Sequence, residues 1–472
     1  MTTEIPTLCR ATATELHAMY RIGTVSPVDV AEAVLDRIDR LGQELNAFVF
    51  VDRDAAMDAA KSSAKRWRDN APRGRLDGIP VTVKDMILAR GWPTLRGSRT
   101  VDPQGPWELD SPSVARLREG GAVLTGKTTM AEFGWKGTGD CPLNGVTLNP
   151  VVPGKTPGGS SSGAAAGLAD FMGPLALGTD AGGSVRIPAS FTGTVGFKAT
   201  FGAIPNLPAS PMGTLSNVGP MARTVADARM LFEAVAVPDR RDPWSLSRPG
   251  RSGDLRSLEG LCITFFSDSP GPRPVEPDVL SVIGDATDAA VTAGAVVEHV
   301  DSAFLAEARS SLLTLWRAGA AYLARTIPDD RLDLVDPGLR SEMELGKDLL
   351  GADFVAAEQA RWRVCSAINQ LFDRFDLVLT PTVATPPPDL GSDLYDPSRE
   401  RHWTDWTPFT FPFNLSRHPA ISVPFGTTWA GIPVGVQLVM PHGADCHLLS
   451  VAEHFEALGN GRKADGVGQH PK

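Results

Sequence analysis

No C-x-x-C pair and no H-E-x-x-H motif occurs in this sequence of 472 residues. Its five cysteines, Cys9, Cys141, Cys262, Cys365 and Cys446, are scattered and odd in number. That pattern argues against a disulfide framework and a zinc site, and leaves buried free thiols as the expectation. The eight histidines stand singly, so metal-assisted hydrolysis finds no ligand set, and neither metal nor cofactor is expected. No apolar run approaches the ~18 residues of a membrane span. The opening "MTTEIPTLCRAT" lacks a basic segment followed by an apolar one, so no secretory leader is expected and the cytoplasm is the default location. Basic blocks are missing too: 45 Lys and Arg face 55 Asp and Glu, a net charge of −10. A nucleic-acid partner is therefore not expected.

What is present suits a large soluble enzyme. Hydrophobic residues make up 42% and charged ones 21%, enough for a substantial core. "VSPVDVAEAVLDRIDRLG" predicts a helix with Ser26 as N-cap, Pro27 at its first position and Gly42 as its stop. A second helix is expected over Asp52 to Arg68. "DGIPVTVKDM" switches to period two, with Ile79, Val81 and Val83 on one face and Thr82 and Lys84 on the other. Helices and strands then alternate to a group of late strands in "FDLVLTPTV", "PAISVPFG" and "VGVQLVMP". The reading is an α/β fold in one large domain over 1–472, with a central mixed, mostly parallel sheet covered on both faces by helices. The irregular stretch of about 386–412 is rich in Pro and aromatic residues and is expected to be functional. The last dozen residues read as a polar tail.

Two glycine-rich turns carry serines: "TPGGSSSGAAAG", residues 156–167, and "GTDAGGSVRIP", residues 178–188. They are either two flexible connections or two walls of one active site. Three tempting matches are declined. "GAVLTGKT", 121–128, has the letters of a phosphate-binding loop, but its Ala122-Val123-Leu124 reads as the strand itself. "SSAK", 62–65, lies on a polar helix face without the partner motifs of its class. "GSSSG", 159–163, fits a nucleophile elbow at Ser161, yet no apolar strand precedes it. Because His418, His442, His447 and His454 follow downstream, that elbow remains a competitor. Serine chemistry without histidine needs another base, and a buried unprotonated lysine can supply one. Lys84, ending an apolar strand, is the lysine placed for it, although a snorkelling strand-edge lysine is the commoner explanation of such a position.

"DGIPVTVKDM", "TPGGSSSGAAAG", "PLALGTDAGGSVRIPASFTGTVGFKAT" and "GPMARTVADA", with the closing "GIPVGVQLVMP", resemble the amidase-signature family of hydrolases. The similarity covers nearly the whole chain, with its core at about 76–230. It implies a Ser–cis-Ser–Lys triad: Lys84 as base, Ser160 as bridge after a cis peptide, and Ser184 as nucleophile. Neutral Lys84 would draw a proton from Ser160, and Ser160 one from Ser184, whose Oγ attacks the carbonyl and forms an acyl-enzyme. The amides of Ala181, Gly182, Gly183 and Ser184 would face the oxyanion, with Gly134 near the substrate carbonyl. Supporting roles follow for Ser162 and Thr179 beside the triad, Asp180 as acceptor of loop amides, and Arg186 as a contact to an acidic substrate or a structural group. Ser162 stands where many relatives have glycine, and Thr192 where many have cysteine.

The resemblance implies hydrolysis of a carbon–nitrogen bond next to a carbonyl in a small-molecule amide or carbamate. Trp135 and the Trp403–Phe411 stretch, if they line the pocket, suit bulky or aryl amides, anilides or urethanes; core packing is the alternative. One rival is the amidase subunit of a tRNA-dependent amidotransferase, releasing ammonia from glutamine. The other is a Ser–His–Asp esterase built on Ser161. The expected assembly is a monomer or a homodimer without membrane contact.

Overall fold

The structure, a computed structural model, describes residues 6–247 and 257–464. Among them, thirteen strands occur in chain order: β1 (Phe48–Val51), β2 (Pro80–Lys84), β3 (Val123–Thr128), β4 (Asp140–Cys141), β5 (Gly145–Val146), β6 (Leu175–Asp180), β7 (Val195–Lys198), β8 (Asn217–Ala222), β9 (Cys262–Phe265), β10 (Val296–His299), β11 (Leu377–Pro381), β12 (Ala420–Thr427) and β13 (Pro433–Val439). All but the small β4–β5 hairpin join one sheet in the order β1-β3-β2-β6-β8-β7-β12-β13-β11-β9-β10. It is mixed, as expected, but not mostly parallel. Parallel pairing is confined to β3-β2-β6 and β11-β9-β10, and every other neighbour pair runs antiparallel. The late strands β11, β12 and β13 read correctly one by one. Their direction depends on a tight β12–β13 turn and on the β7–β12 pairing, which period-two patterning does not encode.

Local signals set the helices. Ser26 caps helix Pro27–Leu41 through Val28 N, with Asp29 closing a capping box, and Asp52 caps helix Arg53–Arg68. β2, β3 and β6 are buried along their whole length, as strands covered on both faces must be. The 121–128 match contains β3, and its Lys127 reaches the Ile87 carbonyl and Thr94 rather than an open loop. Parallel register pairs Val83 of β2 with Leu177 of β6. Lys84 and Thr179-Asp180 therefore emerge side by side at the carboxyl ends of two neighbouring parallel strands, where α/β sheets carry their ligands.

The aromatic stretch at 386–412 corrects an expectation. Trp403, Trp406, Phe409 and Phe411 are buried. Trp406 stacks on Phe191 at 5.7 Å and Trp403 meets Trp316 edge-on at 5.6 Å. Trp135 is buried as well, against the backbone of Gly338. These rings are core, because large aromatic surface gains most by leaving water. The end of the polar tail, 465–472, lies outside the described residues.

Candidate active site

Lys84 is fully buried at the end of β2. Its Nζ lies 2.8 Å from Ser160 Oγ, 2.9 Å from Ser161 Oγ and from Thr179 Oγ1, and 3.3 Å from the Thr179 carbonyl. Burial pulls its pKa down to about 7, against the opposing pull of the Asp180 carboxylate. Near neutral pH the uncharged amine is therefore accessible.

Ser160 and Ser161 sit in the turn before helix Ser162–Ala169, and the Gly159–Ser160 peptide is cis. The turn needs its glycines. A Cβ on Gly159 would lie 2.0 Å from the Thr138 carbonyl, and Gly158 holds φ +80° with Pro188 Cα 2.9 Å from where its Cβ would be. Ser184 sits in the second turn, between β6 and helix Arg186–Thr192. The Ser161 amide donates to the Ser184 carbonyl at 3.1 Å, so the two turns are stitched together by backbone. The glycine-rich segments are two walls of one site.

Asp180 organises the second turn. It accepts from the amides of Gly183 (2.8 Å) and Val185 (3.2 Å) and from both forks of Arg186 (2.9 Å each). Arg186 holds its carboxyl well below the usual range. Arg186 itself is fully buried and also reaches Gln437, Asn414 and the Thr410 carbonyl. It is a structural strut, not a substrate contact, because every direction its guanidinium can donate is already occupied. The expected oxyanion donors narrow likewise. The Gly183 amide is spent on Asp180, while those of Ala181, Gly182 and Ser184 meet no acceptor among the described residues. Trp403 packs beneath Gly182, and Thr410 donates to the Gly182 carbonyl at 2.7 Å. The aromatic stretch thus buttresses the turn from below.

Two supporting expectations divide. Thr179 touches Lys84 through both oxygens. Ser162 does not. Its hydroxyl points to the Thr129 carbonyl and Thr147, because it begins the helix and faces away from the turn. The contact to Lys84 comes from Ser161 instead, which the elbow pattern had marked only as a rival nucleophile.

Ser160, Ser184, Thr179, Gly134 and Ala181 line one cavity of about 230 Å³. Gly134 has φ +74°, and a Cβ there would come 3.1 Å from Ser160 Oγ, so a side chain would crowd the bridging hydroxyl. Met86, Ile87, Phe133, Leu207, Met212 and Leu323 make the apolar walls. The strip 206–212 and the helix Ala308–Ala324 had no signal in the sequence, since only the tertiary fold brings them here. Among the described residues no histidine lines this cavity. His418 and His442 stack on each other at 3.8 Å elsewhere, and His442 borders a separate, larger groove of about 860 Å³ that holds none of the triad residues. Ser161 is bonded to a lysine rather than a histidine, which removes the basis of the esterase reading.

A family model described as Amidase matches residues 29–449. The chain belongs to the amidase-signature family. As an amidase it acts on carbon–nitrogen bonds other than peptide bonds. It is 33% identical to an acylamidase of Rhodococcus erythropolis over 94% of this chain and 95% of the relative. It is 34% identical to a glutamyl-tRNA(Gln) amidotransferase subunit of Symbiobacterium thermophilum, over 94% and 96%. Among solved structures, a bacterial aryl acylamidase of the amidase-signature enzymes superposes with a TM-score of 0.87 at 29% identity, covering 98% of this amidase and 99% of that chain. Among the described residues no helix is long and apolar enough to cross a membrane.

Proposed function

We propose that the protein is a freestanding amidase that cleaves aryl or other bulky amides, anilides or carbamates through an acyl-enzyme on Ser184. The observation that carries this reading is the 2.8 Å contact between a buried amine of pKa about 7 and Ser160 Oγ, in the cavity that also holds Ser184. Neutral Lys84 accepts the Ser160 proton, and Ser160 accepts that of Ser184. No hydrogen bond joins the Ser160 and Ser184 hydroxyls among the described residues, and this reading requires Ser184 Oγ to turn toward Ser160 when substrate fills the cavity. Attack on the carbonyl places the oxyanion before the amides of Ala181, Gly182 and Ser184. The proton returns through Ser160 to the leaving nitrogen, the amine departs, and water releases the acid by the same relay.

The similarity to amidotransferase subunits favours a second reading, ammonia release from glutamine within a complex. The cavity supports it less well. Glutamine presents an ammonium group beside its carboxylate, and among the described residues no Asp or Glu lines the cavity to receive that cation. Purified protein alone, offered a chromogenic 4-nitroanilide, tests the choice. Turnover that disappears in Ser184→Ala supports the freestanding enzyme, and turnover of glutamine only in the presence of partner proteins overturns it.

A further inference from the structure

Among the described residues, Arg96 is the one charged side chain that lines the Ser184 cavity. Its guanidinium has no hydrogen bond or ion pair among the described residues. The carboxylate that acts on it through space, Asp85, is already engaged by the amides of Leu95 (3.2 Å) and Gly97 (3.3 Å) and by Lys127 at 3.7 Å. The backbone holds Arg96 in place. It adopts φ +57°, left-handed for a residue with a side chain. Its amide donates to the Asp85 carbonyl at 3.2 Å, and its carbonyl accepts from Phe133 N at 2.8 Å. Phe133, itself at φ +48°, lines the same cavity. Two such uncommon conformations, hydrogen-bonded to each other, deliver a cation and an aromatic ring to one chamber wall.

In the water-filled cavity an unpaired guanidinium is solvated. When a substrate displaces that water, a neutral occupant leaves the cation without compensation, whereas an anionic one pairs with it. The planar fork matches a carboxylate bidentately. We propose that Arg96 receives a carboxylate carried by the substrate, so that the preferred substrates are amides bearing an anionic group a few bonds from the scissile carbonyl. This rests on the acyl-enzyme reading of Ser184 and adds the charge of the substrate to it.

Matched pairs of amides, followed by amine release, test the proposal. Butyryl 4-nitroanilide against succinyl 4-nitroanilide places the carboxylate on the acyl side, and acetanilide against 4-acetamidobenzoate places it on the amine side. The readout is the ratio of kcat/KM for the charged over the neutral member. The intact enzyme is expected to favour the charged member of one pair by about tenfold to a hundredfold, the usual worth of a charge-assisted hydrogen bond. In Arg96→Gln that ratio collapses toward unity, and in Arg96→Lys it is partly kept. A ratio near or below unity in both pairs for the intact enzyme, or one that Arg96→Gln leaves unchanged, overturns the assignment. Ser184-dependent turnover of a neutral anilide would in either case leave the acyl-enzyme reading standing. If no anilide is cleaved, calorimetry decides on the Ser184→Ala background. Succinic mono-anilide must bind about tenfold more tightly than butyranilide, or 4-acetamidobenzoate than acetanilide, and adding Arg96→Gln must remove the difference. Equal binding within both pairs refutes the role of Arg96 whatever the chemistry.

Discussion

Lys84 Nζ lies 3.3 Å from the carbonyl oxygen of Thr179, a group that can only accept. One N–H of the neutral amine is therefore committed to it. The Ser161 hydroxyl also donates to that carbonyl, at 3.3 Å, so its oxygen is left to receive the second N–H. With the Thr179 hydroxyl, 2.9 Å away, sharing the N–H that faces Thr179, the lone pair is left for Ser160. This order of donors and acceptors gives a lysine the function that imidazole has in other serine hydrolases.

The first prediction concerns pH. The base acts unprotonated, so kcat/KM should rise about tenfold per pH unit at acid pH and level off above a midpoint near 7, the value burial imposes on Lys84. A pH–rate profile on a chromogenic anilide measures it. A profile that stays flat from about two pH units below that midpoint to about one above it would remove Lys84 as base.

Removing the hydroxyls should grade the turn. Ser184→Ala is expected to abolish turnover and covalent labelling by a fluorophosphonate, read by intact mass. Ser161→Ala loses one acceptor for Lys84 and should lower kcat by about tenfold while still taking the label. Loss of labelling in Ser161→Ala alone would restore the elbow as nucleophile.

Gly134→Ala places a methyl 3.1 Å from Ser160 Oγ at a backbone of φ +74°. The bridging hydroxyl must shift, so kcat should fall by about a hundredfold, the effect of a small misplacement of a reacting group. KM for a small anilide should move far less. Steady-state kinetics with a thermal melt to confirm folding separates the two.

The Asp180–Arg186 pair is fully buried, with a 2.9 Å contact. Arg186→Met leaves an unpaired carboxylate in the interior, and denaturant unfolding should show a loss of about 3–5 kcal/mol. The pair also sets a direction with pH. Asp180 is held below its ordinary value in the folded state, so its contribution is present above the unfolded carboxylate range and is lost as acid protonates it.

The glycine and serine turns, the capped helices and the strand ending in Lys84 were all legible in the sequence, because each is written in local chemistry. The role of Ser162 was not, and that of Arg186 stayed open between a substrate contact and the structural group it is. Arg186 depends on Asn414 and Gln437, more than two hundred residues away, and Ser162 differs from Ser161 only by which side of a helix start it occupies. The aromatic residues of 403–411 stayed undecided for a related reason. Apolar rings in an irregular stretch suit a pocket or a core equally well, and only their packing on Phe191 and Trp316 decides. Arg96 carried no motif, since its position in the chamber follows from a left-handed turn that the letters "TLRGS" do not announce.

The amide of Ser161 grips the carbonyl of Ser184, so the two turns that carry the reacting hydroxyls are held together by main chain. The strip 206–212 that forms much of the chamber's apolar face belongs to a different part of the chain. Chemistry and selectivity are thus mechanically separable. Exchanging that strip for others should retune which molecules fit while the proton path stays intact, giving this scaffold the adaptability of a tool with a fixed handle and interchangeable jaws.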